Sequence, residues 1–319
     1  MLRKLLFLAL VSLTMFSACA DKKTDKSNPA TETVEAIDLF LNSSEYKLLL
    51  SPAKFTNPTD AFAEYWEVIK KVAGEEGIPV LAKEKPLKEK HKAVSFLDTK
   101  NLDLRKNGFL LRHKRTYKGN DLALKVEYTL KYRNRLPEKV RPIDMSIGEG
   151  YTAKHEEIEL ESDIVYSSVL NGALDATYTV GNAFDSEEGS VIKTVGDIAK
   201  RFPVLNTVKL DPETELVLAA NVIADERMVQ MGHLDFGDGL MGRMDMAIWT
   251  FTTEDGKEIS VPEFSFDHPF SRDKEYSKEA MNKCASFINK LETATPDWIE
   301  PGVLKAAVIF NIAEKGLSK

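Results

Sequence analysis

The sequence predicts an α+β protein whose strands form a sheet, able to close into a barrel of about eight strands, flanked by helices. Three observations predict it. Segments 43–50, 109–117, 122–133, 156–162, 240–249 and 261–268 alternate apolar with charged or polar residues at the period of a strand. Their polar faces carry both signs: Glu45 with Lys47, Arg112 with Lys114, Lys131 with Arg133, then Glu157, Glu159 and Glu161, Arg243 with Asp245, and Glu263 with Asp267. Amphipathic patterns at 59–73 and 271–292 supply helices to cover the apolar faces. If those faces pack outward on helices, the charged faces turn inward. Charges enclosed there must pair with one another or with a ligand. A solvated charged face is the other meaning of the same alternation, and periodicity does not say which side is inside. The recurrence of Lys-x-Arg and Glu-x-Glu sets in several strands weakens the solvated reading without removing it.

The chain opens with a basic start (Arg3, Lys4), an apolar run from Leu5 that continues to Phe16, and then Ser17-Ala18-Cys19. That run is short for a membrane span and has the form of a secretory signal. Small residues before a cysteine resemble the bacterial lipobox, so residues 1–18 are expected to be removed and Cys19 lipidated. Residues 21–33, "DKKTDKSNPATET", are polar and unpatterned and suit a tether. The expected organisation is a signal at 1–18, lipidated Cys19 and tether at 19–36, a tunnel domain at 37–294 and a helical extension at 295–319. The expected location is a bacterial cell envelope with a membrane contact through the lipid. Acidic Asp21 does not directly follow Cys19, which points to the outer rather than the inner membrane in a Gram-negative cell.

Further along, 43–50 is a strand and 59–73 a helix, capped by Thr59 or Asp60 and stopped by "GEEGIP". The basic run "KPLKEKHK" is expected as a loop or strand entry. Strands follow at "AVSFLDT" and, after the Asn107-Gly108 turn, at 109–117; "KGND" turns the chain into the long strand 122–133. Residues 134–155 suggest a loop, 156–162 a strand, and 163–206 short helices and turns. Strands are expected at 215–223, 226–235, 240–252 and 259–268, and helices at 271–292 and 301–314.

A net charge of −7 argues against non-specific nucleic-acid binding. Cys284 falls on the apolar side of a helix and reads as packing. The five histidines show no metal-ligand spacing, and "GDG" at 237–239 is a turn rather than a phosphate loop.

"FLDTKNLDLRKNGFLLRHKR" at 96–115 resembles the CYTH-domain proteins, the triphosphate tunnel metalloenzymes. "YTLKYR" at 128–133 is similar to their Thr-Leu-Lys strand, "EEIELE" to their Glu-x-Glu strand, and "PEFSF" to a late acidic strand. "SSEYKLLL" resembles their opening signature, with Ser43 where the first Glu would stand. Their late basic strand has only Arg227, in "ADERMVQMG", as a counterpart. The resemblance implies an eight-stranded tunnel that holds triphosphate groups and one or two divalent metals, Mg²⁺ or Mn²⁺. Lys47, Arg112, Lys114, Lys125, Lys131, Arg133 and Arg243 would hold a small phosphorylated anion; Glu45, Glu157, Glu159 and Glu263 would hold metal. It implies metal-dependent hydrolysis of triphosphate or polyphosphate. An inactive tunnel that binds an anionic ligand, and a structural envelope lipoprotein with paired charges, are the alternatives.

Overall fold

Residues 40–154, 158–167, 173–187, 192–300 and 302–317 are described by a computed structural model. In chain order they form β1 (Leu41–Leu49), α1 (Pro58–Glu75), β2 (Val80–Ala82), β3 (Glu89–Thr99), α2 (Asp103–Lys106), β4 (Phe109–Lys118) and β5 (Asp121–Asn134). Then come α3 (Pro137–Val140), β6 (Glu159–Ser167), β7 (Ala173–Glu187), α4 (Val195–Ala199), β8 (Leu216–Leu218) and β9 (Ala224–Asp235). The chain ends with β10 (Met241–Thr252), β11 (Glu258–Pro269), α5 (Lys278–Ala294) and α6 (Lys305–Leu317). Cys19 and Glu157 lie outside the described residues.

The sheet runs β9-β10-β11-β1-β6-β7-β5-β4-β3 and closes where β3 pairs with β9. Nine strands therefore form the barrel, and β2 and β8 hang on its outside edges, on β9 and β3. The tunnel is the expected α+β type, with a ninth strand. Its pairs are antiparallel except β1 with β6, which run parallel with Glu45 opposite Asp163. At that seam Ser44 and Ser162 share a buried hydrogen bond of 2.6 Å.

The ninth strand is β7, in a stretch where the sequence suggested short helices and turns. Its residues Thr177, Thr179, Gly181 and Ala183 are small, and Gly, Asn and Asp interrupt it as turns do. Tertiary pairing overrides those preferences. Gly181 serves a specific fit: a Cβ there would stand 2.9 Å from the Lys131 Cγ on the neighbouring strand. The expected strand 215–223 is shorter, because a 3-10 turn begins at Ala219.

Three apolar clusters surround the barrel. Helices α1 and α5 cover β1 and β9–β11, burying Phe62, Tyr65 and Phe287 against Phe264 and Phe266. Each such side chain removed from water contributes roughly 1.5–3 kcal/mol. The segment expected as a loop after residue 134, with α4, covers β4–β7 and packs Val140, Met145, Ile198 and Phe202 on Leu130, Val180 and Phe184. The third cluster sits where Ile309 and Phe310 of α6 meet Phe96, Leu110 and Trp249.

The "FLDT" motif has a local job. Asp98 accepts hydrogen bonds from the backbone N–H groups of Thr99 (2.7 Å), Leu104 (2.9 Å) and Arg105 (2.9 Å), tying the β3–α2 corner. Burial pushes its carboxyl up to about 6 despite those donors. Arg227 also has a structural place: it faces outward to Glu89 (2.7 Å) and Thr59 (2.8 Å), so it supplies no cation to the tunnel.

On the outer face of β11, His268 is fully buried against Tyr46 and Phe270, with both ring nitrogens unpartnered. Burial pushes its imidazolium down to about 4. The folded protein therefore binds this proton more weakly than the unfolded chain, whose histidine titrates near 6.5. Stability is expected to fall as pH drops from about 6.5 to 4, by on the order of 3 kcal/mol from this group. A His268→Phe variant should lose that part of the slope in urea unfolding measured across the range; an unchanged slope would contradict the assignment.

Candidate functional site

The alternation of the strands resolves in favour of the interior. Lys47 and Glu45 of β1, Arg112 of β4, Thr129, Lys131 and Arg133 of β5, Asp163 of β6, Glu226 of β9, and Glu263 of β11 line a cavity of about 200 Å³. Lys305 of α6 joins them, above Phe96, Leu110 and Trp249. The lining thus sets Lys47, Arg112, Lys131, Arg133 and Lys305 against Glu45, Asp163, Glu226 and Glu263. Two neighbouring cavities, of about 150 and 140 Å³, share Arg112 with it. The first adds Lys92, Lys114 and Asp245, and the second Glu127, Glu159 and Glu161.

Asp163 is the centre of the charge network. It is 4% exposed and bonds the Lys47 ammonium, the Arg133 Nη2 (2.7 Å) and the Thr179 hydroxyl (2.8 Å). Burial alone would raise its carboxyl; Lys47, then Arg133 and Lys131, outweigh that and hold it well below the usual carboxylate range. The same balance lowers Glu45, which lies 2.8 Å from Lys47. Lys47 is itself held above the ordinary lysine value by Asp163 and Glu45, against its burial. Elsewhere Lys131 bonds Glu161, and Glu263 meets Lys305 at 3.0 Å. Glu226 accepts from the Trp249 indole at 2.7 Å and stands 3.3 Å from Lys92.

Two places are short of negative charge. The Nε–H groups of Arg112 and Arg133 are buried and have no acceptor. Nearer the mouth, Glu127 serves Lys114 (2.5 Å), Arg112 (3.7 Å) and Lys154, which also stands 4.0 Å from Asp185. Burial, then Arg112, Lys92 and Lys154, push the Lys114 ammonium down to about 7.

The sequence-derived candidates fall into two groups. Lys47, Arg112, Lys114, Lys131, Glu45, Arg133, Glu159 and Glu263 face these connected cavities. Lys125 lies on the same strand face but at the protruding end of the β4–β5 hairpin, 61% exposed and 2.6 Å from Asp185. Arg243 is half exposed and pairs with Asp267 at 3.0 Å and Asp245 at 3.5 Å. Burial and the neighbouring acids Glu45 and Asp245 push Asp267 up to about 6, although Arg243 pulls it down.

Several lining residues were missed. Asp163 continues the 159–161 alternation by one step, past the point where the strand was expected to end. Lys92 ends a basic run expected as a loop or strand entry, which here enters β3, and Glu226 precedes Arg227 on β9. Lys305 comes from a helix, and no strand pattern could have announced it.

The carboxylates expected to hold a divalent metal are not gathered in one place among the described residues, and Glu157 lies outside them. Among the described residues, no group of three or more His, Cys, Asp or Glu side chains comes close enough to hold one. Glu45 is engaged by Lys47 and Glu263 by Lys305, while Glu159 lines a different cavity. Among the described residues no helix is long and apolar enough to cross a membrane.

No family model matches the chain, and no curated protein does either. Among solved structures it is similar to an adenylyl cyclase candidate from Hippeastrum described as having a dominant triphosphatase activity: 13% identity, 85% of this chain and 95% of that one, TM-score 0.40. An adenylate cyclase candidate from Bacillus halodurans aligns at 10% identity over 85% of this chain and all of that one, with a TM-score of 0.37. A Pyrococcus horikoshii protein aligns at 11% over 85% and 99%, with a TM-score of 0.30. At this level of likeness, the ground for any functional reading is the chain's own geometry.

Replacing Asp163 by Asn would leave Lys47 and Arg133 buried without their shared counter-ion. The expected loss is about 3–5 kcal/mol, the usual cost of breaking a buried ion pair by removing one partner. Equilibrium unfolding in urea measures it, and a loss below 1 kcal/mol would remove Asp163 from the centre of the network.

Proposed function

We propose that the tunnel binds a small anion of the triphosphate or polyphosphate class. One observation carries this: Arg112 and Arg133, each with a buried Nε–H group that has no acceptor, line the same cavity as Lys47 and Lys131. A buried donor without an acceptor costs roughly 1–3 kcal/mol, and phosphoryl oxygens are the acceptors that guanidinium groups match best. The crowding of Lys114, Arg112 and Lys154 on Glu127 supports the same reading. An anion arriving there relieves repulsion that the chain's own carboxylates leave in place.

Binding is the leading part of the proposal. Hydrolysis assisted by Mg²⁺ or Mn²⁺ is its finer part, and the ion-paired state of Glu45 and Glu263 places it second. Tripolyphosphate at low salt should bind and raise the melting temperature of the wild-type protein. Lys131→Ala should weaken that binding by about tenfold to a hundredfold, the value of a charge-assisted hydrogen bond. Titration calorimetry measures it, and a wild-type protein that binds neither tripolyphosphate nor a nucleoside triphosphate, with or without Mg²⁺ or Mn²⁺, would refute the reading. Phosphate release with and without the metal separates hydrolysis from binding.

Lipid anchoring through Cys19 belongs to the same proposal, because the signal-like start, the small residues before Cys19 and the polar tether form one pattern. Cys19→Ala should move the protein from the membrane fraction to the soluble envelope fraction; unchanged partition would argue against the anchor.

A further inference from the structure

Lys114 stands between two cavities. It lines the interior one of about 150 Å³ together with Lys92, Arg112 and Glu226, and also a larger one of about 840 Å³ at the β4–β5 hairpin. The larger cavity has an apolar side made by Leu122, Ala123 and the exposed Leu124. The Lys114 side chain is 18% exposed, so it is sheltered from bulk water yet reached from both cavities.

The charges around it are unequal. Lys92 faces it from β3, Arg112 from its own strand, and Lys154 from the segment before β6. The acids among them are Glu127 of β5, 2.5 Å from Lys114; Glu226 of β9, 3.3 Å from Lys92; and Asp185 of β7, 4.0 Å from Lys154. Glu127 is shared by Lys114, Arg112 and Lys154, and Glu226 already accepts from the Trp249 indole. An ammonium at this place repels its neighbours, and losing its proton relieves the crowding. Burial, then Arg112, Lys92 and Lys154, accordingly push Lys114 down to about 7. Holding a phosphate calls for the charged form. A neutral amine in a cavity is instead a nucleophile, and Glu127 lies close enough to carry its protons.

We propose that Lys114 is a covalent capture site for small aldehydes that carry a phosphate group, held as an imine. This rests on the anion-binding reading above for the phosphate and adds a carbonyl chemistry to it. The amine nitrogen adds to the carbonyl carbon. Its two protons pass by way of Glu127 to the carbonyl oxygen, which leaves as water, and a C=N bond takes the place of C=O. Nothing is oxidised or reduced, and water reverses the step. The phosphate goes to the Arg112 guanidinium, whose Nε–H lacks an acceptor, and the hydrocarbon part lies toward Leu122 and Leu124.

Pyridoxal 5′-phosphate is the probe, with phosphate-free pyridoxal as the comparison. Borohydride fixes an imine as a stable secondary amine, and peptide mass mapping then locates it. On the wild-type protein the adduct should form at Lys114 well ahead of an exposed lysine such as Lys100, and tripolyphosphate should suppress it. Pyridoxal should label Lys114 less by about tenfold, the order of one charge-assisted contact. Labelling of Lys114 should reach half its plateau near pH 7, whereas ordinary lysines go on gaining toward about pH 10. Lys154→Ala, which removes one of the repelling charges, should move that midpoint upward. Equal labelling of Lys114 and Lys100 would overturn the inference. So would pyridoxal labelling Lys114 as readily as its phosphate, or a midpoint that does not move in Lys154→Ala. Any of these, in a protein that binds tripolyphosphate by calorimetry, leaves the anion-binding reading intact. A protein that binds no tripolyphosphate would remove that reading, and this inference with it.

Discussion

The interior depends on one constraint: charge enclosed by a barrel has to be balanced on the spot. Asp163 meets it for Lys47 and Arg133 together, with Thr179 as a further donor. The contact is possible because β1 and β6 run side by side in parallel, which sets Asp163 directly opposite Glu45 on the strand that also carries Lys47. In an unbalanced interior each desolvated ion would cost several kcal/mol, and the closed form of the sheet would be at a disadvantage to an open one. Charge pairing and barrel closure are therefore two sides of one arrangement.

The balance is uneven, and the unevenness has a location. Around Asp163 each charge has a counter-ion, while the Arg133 Nε–H there finds no acceptor. Toward Arg112 and Glu127 the cations outnumber their carboxylates, and guanidinium donors go unused. Toward Asp245 and Asp267 the acids crowd instead, and Arg243 is their nearby cation. A polar field of this kind can orient a ligand that carries negative charge along its length. The carboxylates that a metal would need are dispersed among lysines, which separates the anion-binding capacity of the tunnel from the question of turnover.

Packing outside the barrel sets the geometry inside it. Helices α1 and α5 pack on one part of the barrel, the 136–154 segment with α4 on a second, and α6 on a third. Gly181 shows how fine the fit is, since the Lys131 stem passes where a Cβ would be. The "FLDT" motif, one of several in the family resemblance, secures a corner through three backbone amides on Asp98.

By itself the sequence determined the strands with strict alternation, the amphipathic helices, and the residue types that a mixed-sign interior would need. Those properties follow from a repeat of two or 3.6 residues and are local. Tertiary structure decided the rest. β7 has no clear strand signal, because small residues chosen for close approach read as turn formers. Asp163 sat one step beyond a visible pattern, and Arg227, the lone counterpart of a late basic strand, faces Glu89 and Thr59 outside. Lys305 reaches the cavity from a helix distant in sequence. Which face of a strand looks inward, and which cation meets which carboxylate, depends on strand order and closure. Those are relations between segments far apart in the chain, and no local period records them.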